Sequence, residues 1–210
     1  MKRMIAYASN TGTRRNLSAL LDAGWRILLT PANPRLPPHF RFAIDNGAWT
    51  AHRAGTEFDG DAFMRVVDRH GLDADFVVLP DIVAGGMQSL ALSISWIPRL
   101  LGMRLLLPVQ DGMDNRAVMR VLESYPAIGV FVGGSTEYKL REMAHWGAVA
   151  AMLHRWMHVG RVNTARRIRL CAESGATSFD GTSATMFSCT VPLLDAARRQ
   201  PSLLAPGRLQ

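Results

Sequence analysis

Residues 177–183 read Thr-Ser-Phe-Asp-Gly-Thr-Ser, a short β-prone run that ends in an acid followed by a glycine. Such a segment is typical of a β-strand that carries a carboxylate, here Asp180, at its tip. Residues 42–49, Phe-Ala-Ile-Asp-Asn-Gly-Ala-Trp, place a second carboxylate, Asp45, in the same kind of position far upstream. Two aspartates at the ends of two strands can supply a nucleophile and a proton acceptor for chemistry at a glycosidic bond.

Short apolar runs alternate with amphipathic stretches along the chain, which is the pattern of an α/β fold with a parallel sheet. The predicted strands are residues 4–8, 26–30, 42–45, 75–79, 104–109, 128–132, 157–162 and 177–180. The predicted helices are residues 13–23, 60–71, 87–101, 115–124, 136–153 and 164–174, and a short apolar helix and a frayed tail follow Asp180. Eight strands predict a compact (β/α)8 TIM barrel that forms one domain over residues 1–210. An open doubly wound sheet is the alternative, but no Gly-x-Gly-x-x-Gly motif follows an early strand.

The composition is that of a globular protein, since 48% of the residues are hydrophobic and 20% are charged. The formal net charge of +7 favours an anionic partner such as nucleic acid, although a basic surface alone would also explain the charge. Cys171 and Cys189 form no disulfide or zinc pattern, which predicts a cytoplasmic location. No signal peptide and no membrane-spanning segment is predicted.

The carboxyl ends of parallel strands converge on one mouth of a barrel, and the residues that follow the predicted strands are unusually polar. They are Asp45-Asn46-Gly47, Pro80-Asp81, Gln110-Asp111-Gly112, Gly133-Gly134-Ser135, His158-Val159-Gly160-Arg161 and Asp180-Gly181-Thr182. Clustered carboxylates raise one another's pKa, so at least one is predicted to act as an acid or base near neutrality. At any single position, the preference of Asp and Gly for turns after strands is the alternative explanation.

The same mouth has groups that could bind a purine. Asp81 can accept hydrogen bonds from ring and exocyclic N–H groups, and Gln110 can donate an amide N–H to a carbonyl. The backbone amides of Gly133 and Gly134 can also donate, without hindrance from a side chain. These positions fit the hydrogen-bonding groups of guanine.

Five segments resemble, in order, motifs of the tRNA-guanine transglycosylase superfamily, barrel enzymes that exchange guanine in nucleic acid for a 7-deazaguanine. Residues 45–49 are similar to its Asp-Ser-Gly-Gly-Phe motif, and Pro80-Asp81 falls where the family has its guanine-binding aspartate. Residues 109–113 resemble its Val-Gln-Gly-Gly segment, and residues 132–134 resemble its Gly-Gly step. Residues 158–180 follow its order of Gly-Val-Gly, helix and Gly-Val-Asp-x-Phe-Asp.

This resemblance implies a two-step displacement in which Asp180 attacks C1′ and Asp45 takes a proton from the incoming base. The implied base-binding residues are Asp81, Gln110, Gly133, Gly134, Asn46 and Gly47. The chain lacks the Cys-x-Cys-x-x-Cys…His zinc module of the tRNA enzymes, so the resemblance favours the DNA-modifying, phage-type branch. It implies no metal and no cofactor, a free 7-deazaguanine as co-substrate, and a homodimer as a further expectation.

Nucleic-acid binding would also need cations near the mouth. The candidate phosphate contacts are Arg161, Arg166, Arg167, Arg169, Arg14 and Arg15, each of which could equally lie on a solvated helix face. Three alternatives stay open: a tRNA substrate, a non-catalytic nucleic-acid-binding barrel, and an enzyme that binds a phosphosugar. The last rests on residues 131–135, Phe-Val-Gly-Gly-Ser, which resemble the glycine-rich phosphate grip of other barrels.

Overall fold

The strands of this protein, in a computed structural model that describes residues 4–10 and 13–199, form a closed barrel of eight parallel strands. Each strand pairs with its neighbours in sequence, and β8 closes the barrel on β1. The strands are β1 (Ile5–Ser9), β2 (Arg26–Leu29), β3 (Phe42–Ile44), β4 (Val77–Val78), β5 (Leu105–Val109), β6 (Gly129–Val132), β7 (Met157–Val159) and β8 (Ser178–Gly181). The predicted (β/α)8 architecture is therefore confirmed, with strand ends that differ from the prediction by up to three residues.

Helices follow the strands around the barrel. They are α1 (Arg14–Asp22), α2 (Ala48–Ala54), α3 (Gly60–His70), α4 (Gly86–Trp96), α5 (Asn115–Ser124), α6 (Thr136–Met152), α7 (Ala165–Glu173), α8 (Ser183–Met186) and α9 (Val191–Arg199). Two 3-10 turns, Ile97–Leu100 and Ser188–Thr190, extend α4 and precede α9. Sequence analysis missed α2 and α8, which are short, and the predicted frayed tail lies outside the described residues.

The helix starts follow from local sequence, because five of the described helices begin after a Thr, Asp or Ser that caps them. The capping side chains, which accept a hydrogen bond from a backbone N–H of the first turn, are those of Thr13, Asp59, Asp114, Ser135 and Thr164. Such caps stabilise a helix by about 1 kcal/mol each. Since the helices run back from the carboxyl ends of the strands, their first turns surround the mouth.

The hydrophobic core has two layers. The larger one lies between the strands and the helices, and a smaller one fills the barrel with Tyr7, Leu28, Ala43, Phe76, Val78 and Leu106. Aromatic rings dominate the inner layer, where Phe131 stacks on His158 with ring centroids 5.0 Å apart. Phe76 and Tyr7 also contact the imidazole, at 5.1 Å and 5.7 Å. An apolar septum, the inner layer of Tyr7, Phe76, Phe131 and their neighbours, therefore separates the two ends of the barrel.

No helix among the described residues is long and apolar enough to cross a membrane.

Candidate active site

The mouth of the barrel gathers most of the polar residues that were predicted to meet there. Asp45 follows β3, Asp81 follows β4, and Gln110 follows β5. Asp180 lies within β8, and Arg161 lies in the loop after β7. Three carboxylates from three strands are close enough for Asp45 to feel the charges of the other two.

The surroundings of Asp45 raise the pKa of its carboxyl. Partial withdrawal from water raises the pKa of its carboxyl to about 7, and the negative charges of Asp180 and Asp81 add to the rise. The backbone N–H groups of Gly47 and Asn46 oppose it only in part. A carboxyl with this pKa exchanges a proton readily near neutral pH, which is what a general acid or base requires.

Asp81 is held by two amide side chains. Asn46 donates through Nδ2 to Asp81 Oδ1 at 2.8 Å, and Gln110 donates through Nε2 to Asp81 Oδ2 at 3.2 Å. Burial raises the pKa of Asp81, against the lowering effect of these bonds and of the Arg161 charge. Both amides are anchored in turn: Asn46 donates to Leu79 O, and Gln110 Oε1 accepts from Ala84 N. In this arrangement Asn46 and Gln110 fix the position of Asp81.

Asp180 has one oxygen engaged by the protein and one left for a ligand. His158 Nε2 lies 2.9 Å from Asp180 Oδ1, and the backbone N–H of Arg161 donates to the same oxygen at 3.2 Å. Oδ2 of Asp180 has no hydrogen-bond partner within residues 4–10 and 13–199. The carboxyl is therefore oriented through Oδ1.

His158 is a site residue whose role sequence analysis missed. Its side chain is fully buried, and its Nδ1 lies 2.8 Å from Ser178 Oγ. Ser178 Oγ also accepts a hydrogen bond from Trp156 Nε1 at 2.7 Å. A hydrogen-bonded chain thus runs through the septum from Trp156 to Asp180. The signal was available, because Ser178 and Asp180 share one face of β8 and His158 pairs with Ser178 across the strands.

Arg161 is held in a costly backbone conformation. Its φ is +57°, in the left-handed region that non-glycine residues avoid. Nη2 donates to Gly134 O at 2.5 Å, and the guanidinium lies 4.0 Å from the centroid of the Trp49 ring. A guanidinium has five N–H donors, and no other side-chain bond of Arg161 is formed to the described residues. Arg161 is therefore a cation at the mouth with donors to spare.

The glycines at the mouth shape the loops. Gly134, at φ +74°, would place a Cβ 2.5 Å from Asp111 Oδ2, and Gly47, at φ +82°, would place one 2.9 Å from Pro31 Cδ. Gly133 N donates to Val109 O at 2.9 Å, so this backbone amide is not available to a ligand. Among the predicted base-binding residues, Gly134 and Gly47 are therefore close-packed turns, and the N–H of Gly133 is bonded within the sheet.

Protein side chains already occupy two backbone anion sites near the mouth. Asp111 accepts from Ser135 N at 2.7 Å and from Ser135 Oγ at 2.8 Å, at the start of α6. Asn163 Oδ1 accepts from Thr182 N at 2.8 Å and from Ser183 N at 3.2 Å, at the start of α8. An anion bound at the mouth would therefore depend on Arg161.

The other predicted phosphate contacts lie on the helical layer. Arg166, Arg167 and Arg169 are on α7, and Arg14 and Arg15 form the first turn of α1. Arg14, Arg15, Arg166 and Arg169 are exposed, and Arg167 is partly exposed. Of the predicted arginines, Arg161 is the one placed among the mouth carboxylates, and nucleic-acid binding by the others stays a prediction.

Lys139 is a second residue that sequence analysis missed. It lies buried in the first turn of α6, and its Nζ donates to Gly160 O at 2.8 Å. Burial lowers its pKa to about 8, and the charge of Arg161 adds to the lowering. The side chain ties α6 to the loop that carries Arg161.

Within the part of the chain that the structure describes, no three His, Cys, Asp or Glu side chains are placed to hold a metal ion.

Comparison with solved structures places this architecture among known barrels. A structure titled "Native KDPGal structure" superposes with a TM-score of 0.54 and 13% sequence identity, over 93% of this chain and 94% of the other. The protein is a TIM barrel. At this identity the likeness concerns the fold alone.

The predicted membership of the tRNA-guanine transglycosylase superfamily is wrong on these comparisons. No family model matches the chain, and no curated protein matches its sequence. The solved barrel described above carries a different title. The five motifs are short runs of Asp, Gly and Gln after strands, and the preference of Asp and Gly for turns can place such runs on many parallel barrels.

Proposed function

We propose that this protein is an enzyme that moves a proton on a small sugar phosphate bound at the mouth of the barrel. One observation carries the proposal: three carboxylates, those of Asp45, Asp81 and Asp180, meet at the catalytic end of a TIM barrel. Burial and the two neighbouring charges raise the pKa of Asp45 there to about 7. Strongly shifted acids in such a position are candidates for general acid–base catalysis. This corresponds to the phosphosugar alternative predicted from the sequence.

The mouth has different groups for the two ends of such a substrate. Arg161 offers unoccupied N–H donors beside Trp49 and can pair with a phosphate. Asp180 Oδ2 and the Asp81 carboxylate can accept hydrogen bonds from sugar hydroxyls. Asp45 then removes a proton from the carbon beside the carbonyl and returns it to a neighbouring atom, so that no net proton is gained or lost.

The fold comparison supports the proposal at a coarse level. The matching barrel is titled for KDPGal, and its fold covers nearly the whole of this chain. The backbone phosphate sites at α6 and α8 are filled by Asp111 and Asn163, so this proposal assigns the phosphate to Arg161 instead.

The test is solvent exchange in deuterium oxide. Wild-type protein is incubated with a panel of aldose, ketose and 2-keto-3-deoxy acid phosphates, and deuterium at the carbon beside the carbonyl is followed by proton NMR. We expect exchange with at least one compound and a loss of at least about 100-fold in Asp45→Asn, because general-base catalysis contributes about 10²–10⁴-fold. Asp61→Asn, in the exposed first turn of α3, is the matched control and should exchange as the wild type does.

Absence of exchange from the whole panel, or equal exchange in Asp45→Asn, would contradict the proposal. A sugar adduct on Asp180, detected by mass spectrometry, would assign glycosyl transfer to the same pair of aspartates. Trapping of a substrate on Lys139 by borohydride would assign a Schiff-base mechanism to its amine, whose pKa is lowered by burial.

A further inference from the structure

A second pocket lies at the opposite end of the barrel from the mouth. Its volume is about 540 Å³, within the range of small-molecule sites. The lining residues come from the beginnings of strands and from the turns before them, and they include Arg26, Arg41, Arg104, Arg155, Asp75 and Trp156. We call this cavity the basal pocket.

The basal pocket is strongly cationic, because four guanidinium groups face one carboxylate. Asp75 Oδ2 accepts from Arg26 Nη1 at 2.7 Å and from the Tyr7 hydroxyl at 2.9 Å. Asp75 Oδ1 accepts from Arg41 Nη2 at 2.6 Å. Both oxygens of the one lining acid are thus engaged, and its charge cannot balance the other arginines.

Arg104 and Arg155 carry the unbalanced charge. Arg104 donates to the backbone oxygen of Asp75 at 3.1 Å and lies 5.3 Å from the centroid of the Trp156 ring. Neither Arg104 nor Arg155 forms an ion pair with an acid within residues 4–10 and 13–199. Arg155 Nε is buried and has no hydrogen-bond partner in the same part of the chain. A buried donor without an acceptor is unfavourable, so the guanidinium of Arg155, which lines the cavity, would gain from a ligand oxygen there.

We propose that the basal pocket binds a small organic phosphate that carries at least two negative charges. Guanidinium groups converging on a cavity suit phosphate oxygens, which they bind with charge-assisted hydrogen bonds. The cavity is larger than an inorganic phosphate needs, so it leaves room for an organic group against Trp156. Helix C-termini also point to this end of the barrel, and their partial negative charges attract arginines, but this attraction does not account for a cavity between the arginines.

This site is separate from the mouth, although Trp156 in its lining is hydrogen-bonded through Ser178 and His158 to Asp180. The apolar septum lies between the two ends, and in TIM barrels the chemistry occurs at the carboxyl ends of the strands. A negative result in the exchange experiment would not contradict ligand binding at the basal pocket. Likewise, a negative binding result would not contradict the proposed reaction at the mouth.

Isothermal titration calorimetry tests the proposal with three probes: inorganic pyrophosphate, adenosine diphosphate and, as the neutral comparison, adenosine. We expect the two phosphates to bind one per chain with a Kd below about 1 mM, and adenosine not to bind. Arg155→Gln should weaken the binding of both phosphates at least tenfold. Arg65→Gln, on the exposed face of α3, is the control and should leave the Kd within twofold.

Arg155→Lys supplies a second variant that keeps the positive charge, and circular dichroism confirms the folding of each variant. Arg155→Lys should bind the two phosphates more weakly than the wild type does, but more tightly than Arg155→Gln does. Equal binding by wild type and Arg155→Gln would overturn the proposal, as would no binding of either phosphate. Binding of a DNA duplex that depends on Arg155, without binding of pyrophosphate, would also overturn it and assign the pocket to a polymer backbone.

Discussion

Asp45 shows how neighbours set the chemistry of a single residue. Its carboxyl lies between two others that are fixed by hydrogen bonds, Asp81 by Asn46 and Gln110, and Asp180 by His158 and Arg161. Burial of the Asp45 carboxyl is the largest cause of its raised pKa, and the negative charges of these two fixed neighbours add to it. Together they raise the pKa to about 7, because both effects disfavour the ionised form.

The pKa of Asp45 is directly measurable without a substrate. Carbon-13 NMR of the aspartate carboxyls should show one group titrating near pH 7. Asp180→Asn removes one negative charge and should lower this pKa by roughly one unit, while burial keeps it above its ordinary value. Asp61→Asn should leave the titration unchanged. A carboxyl that titrates near pH 4 in the wild type would contradict the interpretation of the site.

At the scale of elements, one close approach joins α6 to the residue that ends α7. Gly147 of α6 faces Ser174, and a Cβ at this position would lie 1.8 Å from the backbone oxygen of Ser174. Near the other end of α6, Lys139 donates through its buried Nζ to Gly160 O, in the loop that carries Arg161. Helix α6 is therefore fixed at both ends against neighbouring segments of the chain.

Gly147→Ala should destabilise the protein by about 1–3 kcal/mol, because the added methyl group must displace the backbone of Ser174. The sign is diagnostic, since Gly→Ala in an open helical position stabilises by up to about 1 kcal/mol. Chemical denaturation measures the difference in free energy of unfolding. Ala148→Ser, on the exposed side of α6, should change it by less than about 0.5 kcal/mol. Stabilisation by Gly147→Ala would contradict the close contact between Gly147 and the backbone of Ser174.

Helices and strands were predictable from the sequence where the hydrophobic pattern was long. They were less predictable where contacts between elements determine whether a segment is helical or paired. The apolar runs of β5 and β6 and the amphipathic pattern of α5 gave the right element types, and α5 even the right ends. Helix α2 was not predicted, because its seven residues after Gly47 show little hydrophobic periodicity. Strand β4 has two paired residues where five were predicted, because pairing depends on both neighbouring strands and not on the run itself.

The site was predictable as a list of strand-end acids but not as a mechanism. Asp45, Asp81 and Asp180 were found because parallel strands end at one mouth. His158 and Lys139 were not assigned roles, because a buried polar side chain is recognised by its partners, which come from other elements. The basal pocket was not predicted for the same reason. Its arginines lie at or just before the starts of separate strands, and in the sequence each one resembles an ordinary surface residue.

For the whole molecule, the site at Asp45 has a cost in stability. Its folded pKa of about 7 is above the value in an unfolded chain, so the folded state holds the proton more tightly. The stabilisation is therefore fully present below about pH 4 and is lost as the pH rises through 7. Above that pH the Asp45 carboxyl is ionised in the folded protein, although burial and the neighbouring negative charges disfavour the ionised form.

Asp45→Asn should accordingly stabilise the protein at pH 8 by about 2 kcal/mol, a figure reduced because the residue is partly exposed. At pH 4 the two proteins should have nearly the same free energy of unfolding. Urea denaturation at the two pH values measures this, with Asp61→Asn as the variant that should show no such difference. Destabilisation by Asp45→Asn at pH 8 would mean that the ionised carboxyl has stabilising partners.

The septum that closes the barrel has a consequence for how the molecule meets its surroundings. The inner layer fills the barrel, so the mouth has no second exit through its floor. A compound that enters the mouth must leave by the same opening, and a product has to depart before the next substrate can take its place.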